Sequence, residues 1–222
     1  MKIISYNISR FCQEKVDSIL LHEADIYIMP ELACPEMVSL PIGYEMEWMG
    51  EFDFKGLGIV WRSELRAEVP KWFMPEHQYF LPLLVDGTLI MAAWPTTTEA
   101  NKPKRYPQIA MEAIMDYESY LKAHPTVIVG DMNCYKGQSG ETKRYSIQAI
   151  IDLMAEWGFK SAYHQKTGEP LGKESMATYH HQFKEDSKFF LDYAFTNVPI
   201  KNFRLFEWNK DISDHAGQMI EI

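Results

Sequence analysis

Val127-Ile128-Val129-Gly130-Asp131-Met132-Asn133 is the stretch on which the reading of this chain turns. Its β-branched run predicts a buried central strand. Gly130 lets the chain turn at the strand end, or lets a ligand approach the backbone. In an extended chain, residues two apart face the same way, so Asp131 and Asn133 are expected to project together. One is a base or acceptor, the other both donor and acceptor. The pair can orient a water and hold a phosphate oxygen. The plainer alternative is a turn after a strand, because Asp, Asn and Gly all favour turns.

Two later segments also set polar groups beside apolar runs: Phe189-Phe190-Leu191-Asp192-Tyr193 and Ser213-Asp214-His215. An acid within so apolar a segment is costly to bury without a partner, and His215 is the natural one for Asp192. A carboxylate bonded to one ring nitrogen fixes the tautomer and favours the imidazolium. Such a histidine can stabilise charge on a phosphate or transfer a proton; the alternative is a structural Asp–His bond. Near the N-terminus, Glu31 follows Ile28-Met29-Pro30 and is a carboxylate of the type Mg²⁺ takes. Its alternative is a solvent-facing Glu opening a loop. Asn7 closes the first strand, or is an edge or turn residue.

The chain around these segments mixes strands and helices. Residues 2–8 and 25–30 read as strands, with Cys12, Val16, Ile19 and Leu20 at helical spacing between them and Ser9 as a possible cap. Residues 56–62 and 88–94 read as strands; the segment between them has no clear pattern. A helix is expected from Pro107 to about Ala123, with proline near its first position. Strand 126–130 follows. Thr142 is expected to cap a helix that Gly158 ends. The remainder reads as strands 176–181, 189–196, 203–208 and 217–222. Such mixing suits a sandwich of two sheets with helices outside.

The 222 residues fit one large domain, here taken as 1–222, and 46% hydrophobic content supplies a core. No apolar run is long enough for a membrane span, and the N-terminus lacks a signal-peptide h-region. The odd count of three cysteines, Cys12, Cys34 and Cys134, argues against a disulfide framework. An intracellular, cytoplasmic protein is expected. A net charge of −9 weakens long-range steering of a polyanion. Cations are locally dense at Lys102-Pro103-Lys104-Arg105 and at Lys143-Arg144; a nucleic-acid role for them requires that they flank the site.

In their order along the chain, Tyr6-Asn7, Pro30-Glu31, Gly130-Asp131-Met132-Asn133, Leu191-Asp192-Tyr193 and Ser213-Asp214-His215 resemble the motifs of the endonuclease/exonuclease/phosphatase superfamily. The resemblance runs from Asn7 to His215. It implies an α/β, four-layer sandwich with two facing, mostly antiparallel sheets flanked by helices. It further implies that Glu31 is the principal Mg²⁺ (or Mn²⁺) ligand with Asn7 close by, and that Asp214 lies near the metal or at a second metal position. Asp131 resembles the residue that positions or deprotonates water, Asn133 the one that orients phosphate and nucleophile. Asp192 resembles the partner of a catalytic His215.

Where many members carry His or Tyr at the end of the mid-chain strand, this chain has Ala92-Ala93-Trp94-Pro95. Trp94 can donate one hydrogen bond but cannot exchange a proton; it contacts phosphate or simply packs. His180 and His181 face opposite sides if they lie on a strand, so they cannot chelate one ion together, but His180 can line the cleft. The expected activity is metal-dependent phosphoester hydrolysis, with DNA or RNA as first substrate and no obligate protein partner. The alternatives are a phosphatase or phosphodiesterase for a small or lipid-derived ester, and a degraded relative that binds a phospho-ligand or protein without turnover.

Overall fold

The computed structural model describes residues 1–222. It begins with β1 (Lys2–Ser5), α1 (Gln13–Leu20) and β2 (Ile26–Leu32). A hairpin of β3 (Tyr44–Phe52) and β4 (Lys55–Arg62) follows, then β5 (Ala67–Glu68), β6 (Phe80–Val85) and β7 (Thr88–Ala93). Helices α2 (Tyr106–Asp116) and α3 (Glu118–Ala123) lead to β8 (Thr126–Asp131). Next come α4 (Ile147–Glu156), β9 (Lys160–Ser161) and α5 (Ala162–Thr167). The chain ends with a small ribbon, β10 (Tyr179–His180) and β11 (Lys188–Phe189), then β12 (Asp192–Thr196), β13 (Asn202–Leu205) and β14 (Gln218–Glu221).

Two six-stranded sheets result, in the orders β13-β14-β1-β2-β4-β3 and β5-β6-β7-β8-β12-β9. Within them only β1–β2 and β7–β8 pair in parallel. A parallel pair needs a long crossover, and α1 supplies the first, α2 with α3 the second. Alternate residues of the first sheet divide between two cores. Ile3, Ile26, Ile28 and Ile59 join the large cluster shared with the second sheet. Ile4, Tyr27, Met29 and Val60 pack outward on Val16, Ile19 and Leu20 of α1. The inner strands of the second sheet, β6, β7, β8 and β12, are buried on both faces, which is why β7 and β8 read as apolar runs. The two-sheet, helix-flanked sandwich is the architecture expected from the sequence.

Several boundaries differ from expectation. The helix expected over 107–123 breaks at Tyr117, whose hydroxyl accepts a hydrogen bond from the Met74 N–H. Ser146, not Thr142, caps α4, accepting from the Ala149 N–H at 3.1 Å. Thr142 instead accepts from the Tyr145 N–H in the preceding turn. Ser9 caps nothing: its φ is +45° and α1 begins after Cys12. Strand 176–181 contracts to Tyr179–His180. Strand 189–196 is interrupted at Phe190 and Leu191, where the Leu191 and Asp192 N–H groups both donate to the Thr178 hydroxyl. The half-exposed strand β3 has no counterpart in the sequence reading.

Candidate active site

The site grows from the end of β8. Gly130 has φ +155°, and a Cβ there would lie 1.8 Å from the Ala93 carbonyl oxygen, so only glycine admits the close approach of β7. Asp131 follows, 1% exposed. Its Oδ2 accepts from Asn7 Nδ2 at 3.0 Å, and its Oδ1 from the Asn133 N–H at 2.9 Å. The second bond closes a turn in which Asn133 takes φ +51°. The expectation that Asp131 and Asn133 project together therefore fails, because the chain is no longer extended there. Asn133 Nδ2 turns instead to the Pro95 carbonyl, at 3.2 Å.

Asp192 is the direct cross-strand partner of Asp131. Its Oδ2 lies 2.9 Å from His215 Nδ1, and His215 Nε2 lies 3.8 Å from Asp131 Oδ2. The imidazole is held from several sides. The His215 N–H donates to Ser213 Oγ at 3.0 Å, and that hydroxyl donates to the Asn7 carbonyl. The Tyr179 ring packs 4.6 Å from the imidazole, with Tyr179 bridging His215 through the backbone. Four chain segments distant in sequence thus meet in one buried network.

Electrostatics follow from this geometry. Burial, aided by the charge of Asp192, pushes the Asp131 carboxyl up to about 7 against the opposing pull of His215. Burial alone would depress His215, but the carboxylates of Asp192 and Asp131 outweigh it and hold the imidazole at about 9. At neutral pH the network contains an imidazolium beside a carboxyl group poised to take up or release a proton.

Glu31 and Asp214 stand outside this tight network. Glu31 sits at a bulge of β2 with φ +66°, its Oε2 3.4 Å from Lys55 Nζ. Asp214 makes only a 3.5 Å contact with the Ser213 hydroxyl through its side chain. The charges of both bear on Tyr179, which burial and these carboxylates raise to about 12, and on Lys15. The Glu31 and Asp214 carboxylates, and the Asn7 Oδ1 that accepts one bond from the Ser9 N–H, are oxygen donors of the kind that could hold a hard divalent cation. Asp131, Asp192 and His215 also bring ligand-type atoms within 4.8 Å of one another. An imidazolium has no free lone pair, however, so that grouping is better suited to proton transfer than to ligation.

Trp94 is 3% exposed and packs edge-on against Tyr79 at 4.8 Å, with Lys55 5.1 Å over its ring. His180 is not in the cleft. It stacks on Trp208 at 3.8 Å, on the side of the ribbon opposite Tyr179. Cys134 is fully buried and burial pushes its thiol well up, so it is no nucleophile. Thr178, Tyr179 and Lys55 support the site without a signal in the sequence: each acts through a partner distant along the chain.

The fold is a two-sheet sandwich with polar residues gathered at its strand ends. No protein-family model and no curated protein matches the chain. Among solved structures it is similar to the 3′ phosphatase NExo from Neisseria bound to product DNA hairpin, at TM-score 0.72 and 16% identity, covering 100% of this chain and 98% of that one. An AP endonuclease from Archaeoglobus fulgidus matches at TM-score 0.71 and 15% identity, covering 100% and 98%. An endonuclease/exonuclease/phosphatase family protein from Leptotrichia buccalis matches at 0.59 and 16%, with the same coverage.

Proposed function

We propose that this protein is a divalent-metal-dependent phosphoester hydrolase whose substrate is a nucleic acid. The observation that carries the reading is the buried network of Asn7, Asp131, Asp192 and His215. Asp131 takes the proton of an attacking water while the new P–O bond forms. The ester P–O bond breaks on the opposite side, and the leaving oxygen acquires its proton from solvent. His215, kept charged by Asp192, stabilises the negative charge on the phosphoryl oxygens. Asn7 orients Asp131, and Asn133 shapes the turn that fixes it. Glu31 and Asp214, with Asn7, would hold Mg²⁺ or Mn²⁺, which when bound polarises the phosphoryl group and offsets charge on the leaving oxygen.

Three observations favour an extended polyanion over a small ester. The structural relatives include a phosphatase bound to DNA and an AP endonuclease. Arg105 lies beside Gln138, whose side-chain amide holds the Asn133 carbonyl at 3.1 Å, so this one cation flanks the site, while Lys102 and Lys104 of the same run pair with Glu99 and Glu112. On the other side, Arg10 and Lys15 line a groove of about 490 Å³ whose wall includes Tyr179 and Asp214.

A metal-supplemented panel of abasic duplex, plain single- and double-stranded DNA, RNA, inositol phosphates and an aryl phosphodiester tests this. Asp131→Asn should lower turnover by about 10²–10⁴-fold with an unchanged fold. Near-normal rates in that variant would end the role assigned to Asp131.

A further inference from the structure

Beside the catalytic network lies a cavity of about 460 Å³. Two strands divide their residues between the two spaces. Asp192 turns to His215 while the next residue, Tyr193, lines the cavity; Tyr179 packs on His215 while His180 lines the cavity. Consecutive strand residues face opposite sides, but Phe189, the cross-strand partner of Tyr179 with its ring 6.3 Å away, also lines the cavity, so the two spaces adjoin at that edge.

The cavity is built for a flat, polar ligand. Its lining includes two aromatic pairs: His180 stacked on Trp208 at 3.8 Å and 5°, and Tyr135 against Phe189 at 4.6 Å. His180 is 7% exposed, yet its Nδ1 has no hydrogen-bond partner. A buried ring nitrogen left without a partner is costly, and a ligand group that bonds to it would remove that cost. Two exposed lysines, Lys136 and Lys188, line it as well, neither with a carboxylate within ion-pair distance; of the two glutamates in the lining, Glu174 is held by His164 at 3.1 Å and Glu207 is exposed. The volume falls within the range of small-molecule sites, roughly 300–1,000 Å³.

We propose that this cavity binds a nucleoside monophosphate, its base stacked on the aromatic pairs and hydrogen-bonded to His180 Nδ1, its phosphate met by Lys136 and Lys188. The site is independent of the catalytic reading. It is nonetheless linked to the network, because the His180 N–H donates to the Asp214 carbonyl at 2.7 Å.

The test is calorimetric titration of the metal-free full chain with AMP, GMP, CMP and UMP, and with ribose 5-phosphate and inorganic phosphate as arms lacking the base. At least one nucleotide should bind with 1:1 stoichiometry. His180→Phe, which keeps a ring for stacking but removes the nitrogen, and Trp208→Ala should each weaken binding about tenfold or more. Asp131→Asn should leave it unchanged. Circular dichroism checks the fold of each variant, and His180→Phe carries the test if Trp208→Ala does not fold. Absence of saturable binding by every nucleotide overturns the proposal. So does equal binding of ribose 5-phosphate, or a loss in Asp131→Asn rather than in His180→Phe.

Discussion

Replacing Asp192 by Asn probes the network at its most informative bond. The amide keeps the size of the carboxylate but removes the charge that faces His215 Nδ1 at 2.9 Å. His215 rises from an ordinary 6.5 to about 9 in the folded protein, with Asp192 the first carboxylate responsible. A shift of that size corresponds to about 3 kcal/mol of preference for the imidazolium. Because the folded value is raised, this stability is fully present below the unfolded value of about 6.5 and is lost as pH rises through about 9. Asp131 feels both of its neighbours change at once: it loses the repulsion of Asp192 and the attraction of a charged His215, and these partly cancel. Urea unfolding of the metal-free protein should therefore show the variant less stable by up to about 3 kcal/mol near pH 6, with the gap closing by about pH 10. The His215 ring, followed by NMR, should titrate near 9 in the parent chain and below about 7 in the variant. A stability gap that ignores pH, or a parent imidazole titrating at an ordinary value, would refute the reasoning.

Three further outcomes are expected. Gly130→Ala forces a methyl group onto the Ala93 carbonyl and should destabilise by roughly 3 kcal/mol or more, measured by denaturant unfolding; a neutral effect would mean that β7 and β8 are not so close. EDTA should abolish hydrolysis and Mg²⁺ or Mn²⁺ restore it, with Glu31→Gln needing at least about tenfold more metal for half-activity; an unchanged requirement would remove Glu31 from the ligand set. Affinity for a DNA or RNA substrate should fall steeply as salt rises, and Arg105→Ala should flatten that slope by about one charge; a flat response in the parent chain would favour a small ester.

The sandwich was legible because its signals are local. β8 declares itself through a β-branched run ended by glycine, and α4 through the single apolar face that ends at Gly158. What escaped depends on partners far along the chain. Tyr117 divides α2 from α3 through the Met74 backbone, which no helical periodicity encodes. Asn133 misled because the alternation rule assumes an extended chain, whereas the Asp131 side chain itself closes the turn. Alternation did separate His180 from His181, but it gives no absolute direction: Tyr179, not His180, faces His215. Lys55 pairs with Glu31 from the far side of a hairpin, and nothing around it in the sequence marks it.

The left-handed backbone at Glu31 has one more consequence. A side chain with a Cβ tolerates that conformation at a cost of about 1–2 kcal/mol, which glycine would avoid. Thermal robustness and the carboxylate therefore pull in opposite directions at this one position. A library selected only for heat resistance would drift toward Gly at residue 31, and the enriched clones would be sturdier proteins without the carboxylate proposed to hold the metal.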